Sequence, residues 1–205
     1  MSPGRLDREK SSKMRVRAFV AIPVPTHVVD CLGNIQAELT ASGIHLRWVK
    51  PENSHLTLKF LGDIEPSIVP SIVDQMDRIA GSISSFAIHP KGLGAFPNFR
   101  RVRVVWTGLN GDVATLQKLQ RAVDKAMAFL GFDADKKEFR PHLTLGRSKA
   151  GFDGRALERF IDAAKNHPCE AFMVEQLCLF QSDLSPDGAT YTLLHKSQLG
   201  LCPSA

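Results

Sequence analysis

Apolar and polar positions alternate with clear changes of period along the chain. Arg15 to Ile22 (RVRAFVAI) alternates every second residue, the signature of a strand, and Pro23 and Pro25 stop it. Val28, Cys31, Leu32, Ile35 and Leu39 then recur at helical spacing until Ser42-Gly43, and Trp48-Val49 gives a short extended piece before Pro51. His55 to Leu61 (HLTLKFL) predicts a strand closed by Gly62-Asp63, and Ile68, Val69, Ile72, Val73, Met76 and Ile79 mark a second helix. Phe86 to Leu93 and Val102 to Leu109 predict two strands joined by a loop rich in Gly and Pro. Asp112 is placed to cap a helix carrying Leu116, Leu119, Val123, Met127 and Leu130, with Gly131 as its stop. A strand at His142 to Arg147, a helix near Gly154 to Asn166, and strands near Phe172 to Phe180 and Tyr191 to Ser197 complete the pattern.

After the first strand the order is α-β-α-β-β, and then the same again. The two runs keep register: His55 and His142 are 87 residues apart, Phe86 and Phe172 are 86 apart. A period this long is no solenoid repeat; it predicts an internal duplication, two similar lobes of one domain. The expected architecture is α+β, with two pseudo-symmetric lobes, each a mainly antiparallel sheet with helices outside, flanking a central cleft. Residues 1–14 are charged and aperiodic and are expected to be a flexible tail, leaving 15–205 as a single bilobal domain.

Composition narrows the class. Of 205 residues 43% are hydrophobic and 23% charged, enough to bury a core. No apolar run reaches the length that spans a bilayer and the N-terminus lacks a signal-peptide core, so a cytoplasmic protein with no membrane association is expected, and a monomer. A net charge of +5 favours anionic partners, phosphates or RNA, without locating them. The four cysteines, Cys31, Cys169, Cys178 and Cys202, show no C-x-x-C spacing and are read as reduced structural thiols.

The chemistry lies in a tetrapeptide that occurs twice, HLTL at His55–Leu58 and at His142–Leu145. Seven histidines make 21 pairs, and matching three further residues leaves about 0.005 chance coincidences, so the repeat is a product of duplication. In each copy alternation places His and Thr on one face and the leucines on the other. Two such strands about a pseudo-two-fold axis bring two imidazoles and two hydroxyls to one cleft. One imidazole accepts a proton while the other donates one, the two tasks needed to break a P–O bond with water, and the hydroxyls of Thr57 and Thr144 donate to nonbridging phosphate oxygens. The H-x-T spacing is not that of a metal site and no Asp, Glu or Cys cluster accompanies it, so neither metal nor cofactor is expected. Strict alternation adds Lys59 to the His55 face, where a solvated edge lysine is the plain reading. It also places Arg147 on the leucine face, from which reaching the cleft needs the strand to twist or to bulge near Gly146. The first copy has Phe60 at that position.

These features together resemble the 2H phosphoesterases, and within them the RNA 2′,3′-cyclic phosphodiesterases, also described as 2′-5′ RNA ligases. The carriers are RAFVAIPVP, RWVKPENSHLTLKFLGD, GLGAFPNFRRVRVVWTGL, GFDADKKEFRPHLTLGRS and SDLSPDGATYTLL, spread from Arg15 to Leu199. The resemblance implies two lobes around a cleft and an RNA or nucleotide 2′,3′-cyclic phosphate as substrate, opened to a 2′-phosphomonoester. It implies that His142 is the proton acceptor, His55 the proton donor, Thr57 and Thr144 phosphate binders, and Arg147 a fixed charge beside the phosphate. Ligation through a 5′-hydroxyl uses the same histidines, and a non-catalytic nucleotide- or RNA-binding module on the same fold is the alternative from another class. His27, His45, His89, His167 and His195 are read as structural or surface residues, and Trp48 and Trp106 as packing. Phe19 and Tyr191 are candidates for base stacking, although single strand aromatics are ordinarily core. Arg100, Arg101 and Arg103, beside Phe96 and Phe99, are either an RNA-gripping loop or a solvated strand edge.

Overall fold

A computed structural model describes residues 15–163, 169–186 and 188–200. The expected 1–14 tail, His167 and Cys202 lie outside the described residues. In chain order the elements are β1 (Val16–Pro23), α1 (Thr26–Ala41), β2 (Arg47–Trp48), β3 (His55–Ile64), α2 (Val69–Gly81), β4 (Phe86–Phe96), β5 (Val102–Gly111), α3 (Val113–Phe129), β6 (His142–Phe152), α4 (Arg155–Ala163), β7 (Phe172–Val174), β8 (Gln176–Ser185) and β9 (Gly188–Gln198). The predicted elements are present, except that the single strand near Phe172 to Phe180 is divided into β7 and β8, and the end of the helix near Gly154 to Asn166 lies outside the described residues. Asp112 caps α3 by accepting from the Thr115 amide at 2.9 Å. β3 runs past its predicted end: Gly62, at φ 71°, takes the left-handed conformation in a bulge that lets pairing with β1 resume at Asp63 and Ile64.

Two sheets form, in the orders β3-β1-β8-β9 and β2-β6-β5-β4-β7, with all strand pairs antiparallel. The lobes are not the two halves of the sequence. The β4-β5 hairpin joins β6 in the second sheet, while β8 and β9 return to pair beside β1 in the first. Helices cross over as well: α1, from the first half, packs on β6, and α3, from the second, packs on β3. The duplication therefore built two interlocked lobes. In the pairing of β4 with β7, Ala87 lies opposite Met173, the residue 86 positions on.

The core is one connected cluster lying between the sheets and their helices. Ile72, Met76 and Ala80 from α2, Leu116, Leu119, Val123 and Met127 from α3, and Val28, Leu32, Ile35 and Leu39 from α1 are all buried against strand residues such as Leu56, Leu143 and Leu145. Fully burying each such side chain contributes about 1.5–3 kcal/mol, so the motif leucines anchor both strands from behind. The helix-free faces meet where β3 and β6 approach across the two sheets, with Cα atoms within 8 Å.

The cysteine expectation is corrected. Cys31 of α1 and Cys169, ahead of β7, form a disulfide with Cα atoms 5.8 Å apart. Their sequence separation of 138 hides the pairing from any spacing rule, since it exists only because α1 packs across to the other half. Cys178 is a free buried thiol whose pKa is pushed up to about 11 by burial, which keeps it protonated.

Candidate active site

Both motif histidines open their strands half-buried and are tied down in the same way. Nδ1 of His55 lies 2.9 Å from the Asn53 carbonyl and Nδ1 of His142 lies 2.6 Å from the Arg140 carbonyl. A carbonyl oxygen only accepts, so Nδ1 carries the proton in each neutral ring and Nε2 is left with its lone pair. Asn53 is itself fixed by donating its side-chain amide to the Ala189 carbonyl at 3.0 Å, which locks the support of His55 to the β8-β9 turn. Arg47, on β2, donates to Pro186 of the same turn at 2.9 Å.

Rings fill the walls. His55 lies against Phe19 with centroids 4.7 Å apart and against Tyr191 edge-on at 5.0 Å, and Phe180 lies behind Phe19 at 5.4 Å. On the opposite lobe His142 meets Phe96 edge-on at 5.0 Å and Trp106 at 6.0 Å. Phe19 is buried beneath this group, and Tyr191 is half-buried. Trp106 thus belongs to the site wall as well as to packing.

Thr57 and Thr144 follow two residues after each histidine, half-buried on the same face as the imidazoles. After them both strands break alternation at the same step. In β3, Val20 pairs Lys59 while Ala21 pairs Thr57, so Leu58 is an extra residue; in β6, Val105 pairs Gly146 while Trp106 pairs Thr144, so Leu145 is extra. These bulges turn the following residues over. Lys59 and Gly146 lie on the core side, and Phe60 and Arg147 emerge exposed on the face of the histidines. Phe60 is 63% exposed, with its ring 5.9 Å from that of Phe19.

The reading of Lys59 as a solvated edge lysine is overturned. The bulge takes it off the His55 face into the core side, where its side chain is 1% exposed and pairs with Asp124 of α3 and with Asp135 at 3.0 Å. It also donates to the Asp133 carbonyl at 2.7 Å. Burial works against its charge, but the two carboxylates outweigh this and hold its pKa above the ordinary lysine value.

Arg147 electrostatically links the lobes. Burial, chiefly, holds the pKa of both His55 and His142 below the ordinary value, the backbone carbonyls oppose that, and the Arg147 charge lowers both further. Burial raises the Tyr191 pKa, and the same guanidinium works against that rise. The same cation thus bears on His55, His142 and Tyr191. Neutral rings with free Nε2 atoms beside a fixed positive charge suit an anionic substrate that must exchange protons.

The remaining candidates lie elsewhere. His195 pairs through Nε2 with Asp77 of α2 at 2.8 Å, a contact between β9 and its covering helix. Arg100 and Arg101 are exposed on the β4-β5 connection, whose backbone is ordered by the Asn98 carboxamide accepting from their amides, and Arg103 is exposed at the start of β5. Phe96, in contact with His142, puts that connection at the rim of the cleft. Among the described residues no group of three or more His, Cys, Asp or Glu side chains has a metal-holding arrangement, and no helix is long and apolar enough to cross a membrane.

Sequence reasoning missed Asn53 and the Lys59 pairing. No local signal marks the distant partners that fix them, Ala189 for Asn53 and Asp124 for Lys59.

Comparison with known proteins agrees with this geometry. The family model described as LigT like phosphoesterase matches residues 22–106 and again 109–191, one match per repeat. The chain is 34% identical over 179 residues, 87% of its length and 96% of the relative's, to the RNA 2′,3′-cyclic phosphodiesterase of Methanothermobacter thermautotrophicus. The protein of the same description from Archaeoglobus fulgidus is 34% identical over 86% of this chain and 96% of its own. The crystal structure of TT0787 of Thermus thermophilus superposes with a TM-score of 0.74 at 26% identity, covering 90% of this chain and 98% of that one. The LigT of E. coli complexed with 3′-AMP shares the fold, with a TM-score of 0.70 at 24% identity over 90% of this chain and 98% of that one. With a match in each half, each containing one histidine strand, the chain belongs to the LigT-like phosphoesterase family.

Proposed function

We propose that the protein is an RNA 2′,3′-cyclic phosphodiesterase that opens a terminal cyclic phosphate to a 2′-phosphomonoester. The observation that carries this reading is the pair of equivalent histidines, each with Nδ1 held by a backbone carbonyl and Nε2 free, under the field of one arginine. The relatives described as RNA 2′,3′-cyclic phosphodiesterases support the substrate.

In this mechanism the cyclic phosphate sits between the motif strands. Thr57 and Thr144 donate to its nonbridging oxygens, and Arg147 balances the charge that builds as water adds. His142 Nε2 takes a proton from the attacking water while a new P–O bond forms. The bond from phosphorus to O3′ breaks, and protonated His55 gives its proton to the departing oxygen. Water is consumed, and the product carries its phosphate on O2′. Each turnover leaves the proton on the other histidine, and exchange with solvent resets the pair. The exposed Phe60 ring offers a flat surface to a base on the β3 side. The order of acid and base rests on the family resemblance.

The test is steady-state kinetics on adenosine 2′,3′-cyclic phosphate with His55→Ala and His142→Ala. Each is expected to lose roughly a hundredfold or more in kcat with the fold intact by circular dichroism. Full turnover in either variant refutes the two-histidine mechanism. Tight nucleotide binding without turnover in the unmodified protein moves the reading to a binding module.

A further inference from the structure

The bulges that present Phe60 and Arg147 leave an extra residue, Leu58 or Leu145, out of the pairing ladder with the neighbouring strand. A carbonyl left out of a ladder inside the protein needs another donor. The Leu145 carbonyl finds one in the Val49 amide on the β2 side, at 2.9 Å, and in both lobes a buried glutamine side chain on a helix from the other sequence half is also aimed at the carbonyl. Gln36 of α1 is 7% exposed and donates through Nε2 to the Leu145 carbonyl at 2.9 Å and to the Val49 carbonyl at 2.8 Å. Gln120 of α3 is 5% exposed, and its Nε2 lies 3.5 Å from the Leu58 carbonyl, a long contact.

The two bulges differ in what else holds them. In β3 the residue after the bulge is Lys59, anchored by Asp124, Asp135 and the Asp133 carbonyl. In β6 it is Gly146, which has no side chain to anchor. A Cβ there would meet the Trp48 ring at 2.8 Å and the Leu46 Cβ at 3.0 Å, so the close approach of the Leu46–Trp48 segment excludes a substitute for Lys59. The β6 bulge is therefore held by the Val49 amide, which donates to Leu145 at 2.9 Å, and by Gln36, whose side-chain amide ties α1, the exit of β2 and the extra residue Leu145 into one knot.

We infer that Gln36 is a positioning residue for Arg147: by bridging the carbonyls of the bulged Leu145 and of Val49 from α1, beside the Val49 amide, it fixes the reversal that sends the guanidinium into the cleft and not toward the core. If the bulge relaxed, alternation would return Arg147 to the leucine face, and the cleft would lose its cation. A misplacement of about 1 Å at a substrate-orienting group costs on the order of a hundredfold in rate. This inference rests on the proposed phosphodiesterase reading for its kinetic arm, and it has a second arm that needs no turnover.

The variants are Gln36→Met, which keeps the volume and removes the donor, and Gln36→Asn, which keeps an amide one methylene short. They are compared with Arg147→Ala, the double variant Gln36→Met with Arg147→Ala, and Gln120→Met. Gln36→Met is expected to lower kcat/KM at least tenfold, Gln36→Asn by less, and Gln120→Met by no more than about twofold, since Lys59 holds that bulge. In the Arg147→Ala background Gln36→Met is expected to change kcat/KM by under about twofold. The independent arm is the NMR titration of the histidine ring protons. Loss of the nearby charge is expected to raise the pKa of both His55 and His142 in Gln36→Met, as in Arg147→Ala. The other groups at the cleft, Tyr191 and Arg47, are common to all variants. Multiplicative kinetic losses in the double variant, histidine titrations unchanged in Gln36→Met, or an equal loss in Gln120→Met would each overturn the inference. Absence of turnover in the unmodified protein would sink the phosphodiesterase reading alone, leaving the titrations to decide the role of Gln36.

Discussion

At the scale of single residues the site is an electrostatic arrangement with one dominant cation. Removing the Arg147 charge favours protonation of both imidazoles, so Arg147→Ala is expected to raise both histidine pKa values and to move the pH–rate profile toward higher pH. The same change is expected to cost roughly a hundredfold in kcat/KM, because the phosphate gains negative character in the transition state and would do so without its counter-charge. A profile that stays in place while the rate falls would show that Arg147 acts without touching the histidine equilibrium. His55, His142, Thr57 and Thr144 were legible because alternation holds through the first four residues of each motif. The placement of Lys59 was not, because a single extra residue reverses every side chain after it and its hydrophobic pattern looks like ordinary alternation. For Arg147 the sequence posed a twist or a bulge near Gly146, and the structure shows the bulge, but the side-chain donor that reaches it lies 109 residues away.

At the scale of elements, local period and capping residues gave every helix and strand, and the errors concern where strands end. Gly62-Asp63 looks like a stop, yet a left-handed glycine in a bulge lets β3 continue to Ile64. The segment Phe172 to Phe180 reads as one strand but divides at Glu175, so that β7 pairs with β4 and β8 pairs with β1 in the other sheet. The disulfide also belongs to this scale, since it pins α1 to the approach to β7. Cross-linking a loop of that length constrains the unfolded chain by about 3–5 kcal/mol in the chain-entropy model. Urea unfolding of the oxidised protein is therefore expected to show a higher midpoint than in dithiothreitol, with Cys31→Ser at the reduced value under both conditions. Coincident midpoints, with alkylation proving that the thiols were released, would contradict this.

At the scale of the whole molecule, the duplication was legible from two repeated tetrapeptides 87 residues apart, while the exchange of strands and helices between lobes was not. Antiparallel hairpins satisfy their pairing equally well in either sheet, so nothing local decides which sheet receives them. That exchange makes the cleft a joint product of both halves and brings its rim near the exposed Arg100 and Arg101 of the β4-β5 connection and Arg103 at the start of β5. Each arginine that pairs a phosphate of single-stranded RNA adds about 0.7 to the slope of log affinity against log salt. Arg101→Ala with Arg103→Ala is expected to weaken binding of long RNA and flatten that slope by about 1.4, with turnover of a mononucleotide cyclic phosphate little changed. An unchanged slope would leave the group as a solvated strand edge.

The central claim is that one cleft delivers water to phosphorus and a proton to O3′ by histidine alone. The most direct measurement is phosphorus NMR of adenosine 2′,3′-cyclic phosphate turned over in ¹⁸O-enriched water with EDTA present. The account predicts adenosine 2′-phosphate as the product, with one ¹⁸O bound to phosphorus and a rate unaffected by the chelator. A 3′-phosphate product, or a reaction abolished by EDTA, would contradict it.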